Sequence, residues 1–107
     1  MKEIKAIIRP VRLDDVREAL GLLEGFPGMT ITQVEGCSSP ARHQPHGIKE
    51  ELLDYSPKVR IDLIVDDQYA PEIYATIKRV ASTKHIGDGI VWMNTIEQFD
   101  YIWQPES

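Results

Sequence analysis

Residues 3–9, EIKAIIR, alternate Ile4, Ala6 and Ile8 with Lys5 and Arg9, the period of two that a half-buried β-strand imposes. Ile7 interrupts the polar side of that alternation, so the second face of the strand is not wholly solvated, and Pro10 closes it. Leu13, Val16, Leu20 and Leu23 then fall at steps of three and four, a helical stripe with Ala19 beside it. Asp15 and Glu18 are spaced like an N-terminal capping pair for this helix. EGFPG at 24–28 ends it through Gly25, Pro27 and Gly28.

MTITQVEG at 29–36 is rich in β-branched residues and predicts a second strand. Met29 and Ile31 are out of phase with Val34, which predicts a bulge or two buried faces. KVRIDLIV at 58–65 is the clearest strand, with Val59, Ile61, Leu63 and Val65 on one side and Lys58, Arg60, Asp62 and Ile64 on the other. A second helix is predicted over 69–82 from Tyr69, Ile73, Ile77 and Val80, with Pro71 tolerable in its first turn. IVWM at 90–93 predicts a fourth strand, FDYIW at 99–103 a short fifth, and Trp92 is placed in or near the core. Between strands two and three, residues 37–57 show no period and carry three prolines and a glycine; a connection of that length in a small domain is usually functional.

The order is β-α-β, long loop, β-α-β. It predicts an α+β, ferredoxin-like βαββαβ fold, with an antiparallel sheet and both helices on one face. The other face would carry Ile7, Thr30, Thr32 and Ile64 among charged groups, too apolar for a wetted surface, which points to self-association. Residues 1–107 suit a single domain.

Composition narrows the function. Twelve basic against 17 acidic residues leave a net charge of −5, which argues against a nucleic-acid partner, since such surfaces cluster Lys and Arg. No stretch is long and apolar enough for membrane insertion, the start lacks the pattern of a secretory signal, and the single cysteine, Cys37, agrees with a reducing compartment. The expectation is a cytoplasmic protein. His43 and His46, spaced H-Q-P-H, are candidate metal ligands, although no second paired motif accompanies them and solvated loop histidines are the simpler account. Nothing pairs an acid with a base or orients a histidine on Cys37, so no catalytic residue is assigned and no enzyme is expected. Gly87-Asp88-Gly89 is either an ordinary tight turn or an anion cradle, because successive backbone N–H groups in a glycine turn can hold a phosphate.

MKEIKAIIRPVRLDDVREAL, GMTITQVEG, PKVRIDLIV and IGDG, in this order, resemble the PII nitrogen-regulatory signalling proteins over nearly the whole chain. The resemblance implies a ferredoxin-like homotrimer that binds nucleotides in clefts between subunits. Its long loop, here 37–57, would dock on a target protein such as a transporter or an enzyme. It implies that Ile7, Thr30, Gly36, Asp62 and Ile64 surround base and ribose, that Lys58 is the cation at the foot of the loop, and that Gly87, Asp88 and Gly89 form the phosphate-side turn. The effector would be ATP, ADP or AMP.

Several family positions differ. Ile90 stands where a phosphate-contacting lysine follows the turn, and Tyr101 and Trp103 stand where two arginines reach the neighbouring cleft. Ser39 and Pro40 replace an arginine and a glutamine that serves metal and 2-oxoglutarate binding; Glu51 replaces the tyrosine used for uridylylation. Every cation replaced by a neutral side chain removes roughly 1.5–3 kcal/mol of charge-assisted hydrogen bonding, so a triphosphate should be held more weakly, while Tyr101 and Trp103 could stack on a base. The alternatives are a metal-responsive protein using His43 and His46 and an interaction module that needs no ligand.

Overall fold

The computed structural model describes residues 1–37 and 55–105. Four strands and two helices follow in the order β1 (Lys2–Ile8), α1 (Leu13–Gly21), β2 (Thr30–Gly36), β3 (Ser56–Val65), α2 (Ala70–Ala81) and β4 (Gly89–Thr95). The sheet order is β2-β3-β1-β4, with every neighbouring pair antiparallel. This is the ferredoxin-like α+β arrangement: each βαβ half crosses over one strand, and the halves interleave.

The alternations in β1 and β3 set the inner face. Ile4, Ala6 and Ile8 pair with Leu63, Ile61 and Val59, and all six are buried. Val16 and Leu20 of α1 and Ile73 and Ile77 of α2 close over them, with the helices side by side. Arg12 joins the two layers from a 3₁₀ turn at Pro10–Arg12: its Nε and Nη2 donate to the Val80 carbonyl at 3.0 and 2.7 Å, satisfying an acceptor in the last turn of α2 that the helix leaves open. Tyr74 Oη donates to the Val91 carbonyl at 3.2 Å and ties α2 to β4.

Several sequence expectations change. β2 has no bulge; its register with β3 is unbroken from Thr30–Asp62 to Gly36–Ser56. Its mixed pattern reflects an edge strand, on which Ile31 stays half exposed even on the helix side. Asp15 and Glu18 do not cap α1, which starts at Leu13 without a side-chain cap; Asp15 pairs instead with Arg12 at 2.9 Å. Residues 99–103 form no strand; Phe99 and Tyr101 meet edge to face, with ring centroids 5.1 Å apart. Trp92 is not a core residue. Its partner across the sheet is Lys5, so it lies half buried on the face away from the helices.

That face carries Ile7, Ile64, Val34 and Trp92 among Glu3, Lys5, Arg60 and Asp62, as the registers require. The stem of the long connection is shorter than expected, since Ser56 and Pro57 already belong to β3. Pro57 is tolerated there because β1 joins β3 only from Val59, leaving one side of the strand without a neighbour at that point.

Candidate functional site

The turn at 83–88 brings the chain from α2 into β4, and the Asp88 carboxylate holds it together. Oδ1 accepts from Arg9 Nε at 2.9 Å and from the Thr83 hydroxyl; Oδ2 accepts from the N–H of Thr83 at 2.6 Å and of His85 at 3.3 Å. With its proton on Asp88, the Thr83 hydroxyl can only accept from His85 Nδ1, 3.2 Å away. Burial alone would raise the Asp88 pKa. The bonds from Thr83, Arg9 and His85 outweigh it and hold the carboxyl well below the usual range. Asp88 therefore builds the turn from within.

The glycines serve close approach. Gly89 has φ +115°, and a Cβ there would lie 1.8 Å from the Ile7 carbonyl oxygen, so only glycine lets β4 start this tightly against β1. Gly87 has φ +97°, with the Arg9 guanidinium where a Cβ would point. Its carbonyl accepts from Lys58 Nζ at 2.6 Å, and the Ile86 carbonyl accepts from Arg9 Nη2 at 3.3 Å. Burial lowers the Lys58 pKa; repulsion from Arg9 adds to this, and attraction to Asp88 offsets part of it. Gly36 leaves room for the lysine, since a Cβ there would press on Lys58 Cγ at 3.2 Å.

Gly36, Lys58, Gly87, Asp88 and Gly89 thus gather at one end of the outer face, with Ile7 beside them in register with Ile90. Thr30, Asp62 and Ile64 stand towards the other end, lining a shallow cavity of ≈ 280 Å³ with Glu3, Met29, Phe99 and Tyr101 among its walls. Six residue steps along β3 take Lys58 to Ile64, about 20 Å at ~3.3 Å per residue. One chain does not bring all nine candidates together. In the cavity, Asp62 is paired with Arg60 at 3.1 Å, and Lys5 stands 3.8 Å from Asp62 and 3.9 Å from Glu3. Such a balanced set offers acceptors to hydroxyl or amino groups without a net field for an anion.

Sequence reasoning missed Arg9 and Thr83, the partners of Asp88. Arg9 reads as the polar end of a strand, and its partner lies 79 positions away. Among the described residues no group of three or more His, Cys, Asp or Glu could hold a metal. His43, His46, Ser39, Pro40 and Glu51 lie outside the described residues. His85 belongs to the turn, and Cys37 is exposed at the end of β2.

Residues 1–105 match the family Nitrogen regulatory protein P-II. The chain belongs to the P-II family. This P-II chain is 43% identical over 94 residues to Nitrogen regulatory protein P-II 1 of Escherichia coli strain K12, covering 87% of the chain and 83% of its relative. The same identity and coverage relate it to Nitrogen regulatory protein P-II of Klebsiella oxytoca. It is 36% identical over 108 residues to that of Bradyrhizobium diazoefficiens, covering 100% of the chain and 96% of the relative. The family makes it a signalling regulator of the P-II type. No helix among the described residues is long and apolar enough to cross a membrane.

Proposed function

We propose that this P-II protein is a cytoplasmic homotrimeric regulator without catalytic activity, which binds an adenine nucleotide between subunits and controls a target protein through the 37–57 loop. The target would be a transporter or an enzyme. The outer sheet face supports self-association, since Ile7, Val34, Ile64 and Trp92 are half buried in one chain and can be covered by another copy. A ligand that touches both the Lys58 turn and the Thr30–Asp62–Ile64 cavity needs two copies, because these groups stand at opposite ends of one sheet.

The observation that carries the switch is the 2.6 Å bond from Lys58 Nζ to the Gly87 carbonyl. Lys58 stands two residues into β3 from Ser56, where the loop's stem begins, so this bond joins the stem to the turn. A nucleotide phosphate that draws the ammonium from Gly87 changes the stem's restraint, and the loop population shifts by the ligand's differential affinity for the two arrangements. Hydrogen exchange of residues 37–57, with and without saturating nucleotide, tests it. Protection should change in the loop and at the Lys58 stem; unchanged exchange throughout the loop in the ligand-bound protein would remove the switch.

A further inference from the structure

The charge around the turn does not fit a long polyphosphate. Among the described residues that face the turn, the cations are Arg9 and Lys58. Arg9 is closed on Asp88 at 2.9 Å, so that pair contributes no net charge, and Lys58 alone is left uncompensated. Lys84 belongs to the turn but is exposed, where water and salt screen its charge. The residues flanking the glycines, Ile86 and Ile90, are 65% and 61% exposed, an apolar rim that gives an anion no side-chain donor. At the other end, Glu3 and Asp62 balance Lys5 and Arg60, and Tyr101 in the cavity wall is an exposed aromatic surface that can stack on a base and neutralises nothing.

We propose that the cleft selects a nucleoside monophosphate over the corresponding di- and triphosphate. A single phosphate carries about −1.5 to −2 at neutral pH, and each further phosphoryl group adds roughly one more negative charge. The N–H groups of Thr83, Lys84, His85 and Asp88 are used within the turn, so one lysine matches the shortest anion best. Longer phosphate chains would lie along Ile86 and Ile90 and lose water there without gaining a partner. Affinity for the monophosphate then comes from the base, the ribose and one phosphate. This rests on the reading that an adenine nucleotide binds between copies of the chain.

The test is titration calorimetry of the full chain with AMP, ADP and ATP in magnesium-free buffer, repeated with Ile90→Lys. AMP should bind the wild type more tightly than ADP and ATP. One new charged group on the rim should raise ATP affinity about tenfold or more, and AMP affinity no more than about threefold, since the single phosphate is already met by Lys58. Ile86→Lys, at the other exposed rim position, repeats the test should Ile90→Lys unfold. ADP or ATP binding the wild type as tightly as AMP, or more tightly, overturns the selectivity and leaves nucleotide binding standing, as does an equal gain for both ligands in the variant. Absence of binding by all three nucleotides overturns the selectivity and the nucleotide reading together.

Discussion

Replacing Asp88 by asparagine keeps its shape and removes its charge, and the hydrogen-bond pattern sets the cost. Each carboxylate oxygen accepts from two donors: Oδ1 from Arg9 and the Thr83 hydroxyl, Oδ2 from the N–H groups of Thr83 and His85. An amide has only one oxygen, so its NH2 must face donors whichever way it turns. Turned towards Oδ2 it opposes two backbone N–H groups; turned towards Oδ1 it opposes the Arg9 guanidinium, although the Thr83 hydroxyl can rotate to accept. The second orientation is the cheaper. It loses one charge-assisted bond, about 1.5–3 kcal/mol. For a chain of this size that is a fall in Tm of roughly 5–15 °C, measured at one fixed protein concentration because association contributes to stability.

The pH dependence of that gap adds a second constraint. The folded Asp88 pKa is depressed. Its contribution is therefore complete above the unfolded value of about 3.9 and is lost as pH falls through the still lower folded value. Urea unfolding of wild type and Asp88→Asn should differ most at pH 7 and converge below about pH 4. Equal stability at pH 7 within about 0.5 kcal/mol, or a gap that stays constant on acidification, would refute the scaffold role given to this carboxylate.

Gly89→Ala should be more damaging than an ordinary surface change, because its Cβ would lie 1.8 Å from the Ile7 carbonyl oxygen at a φ of +115°; a loss of about 2 kcal/mol or more by thermal unfolding is expected. Leu20→Ala, in the fully buried packing of α1 on the sheet, should cost about 2–5 kcal/mol in denaturant unfolding. Lys58→Met keeps an apolar stem and removes the bond to Gly87, so nucleotide should no longer alter hydrogen exchange in residues 37–57, even at concentrations that restore full occupancy.

Most of the fold is legible in the order of side chains because β1, β3 and the two helices each bury one clean face. Ile4, Ala6 and Ile8 alternate as the inner row of β1, and Ile73 and Ile77 repeat at the helical step. β2 is less legible because it is an edge strand, exposed along its helix side and only partly buried on the other, so neither parity carries a buried apolar row. Phe99 and Tyr101 carry strand-forming composition but pack on each other beside the cavity, a tertiary outcome that composition does not encode. Asp15 resembles a cap because the Pro10–Arg12 turn that precedes α1 leaves no mark in the hydrophobic period.

The site divides along the same line. Gly87-Asp88-Gly89 stands out as a motif, and Lys58 stands out by its place at the foot of the long connection. That Asp88 faces inward to Arg9 depends on where the end of β1 meets the turn before β4, and no local pattern reports a pairing across 79 positions. The separation of Lys58 from Thr30, Asp62 and Ile64 follows from register alone, once β2, β1 and β4 are aligned about β3 and β1.

In the proposed trimer the helix-free face of the sheet joins copies of the chain, so that the turn of one subunit meets the cavity of another. Light scattering on the eluting peak of a sizing column measures it directly. A mass about three times the 12.2 kDa of one chain is expected, maintained on dilution to micromolar concentration. A mass of a single chain under those conditions would contradict it.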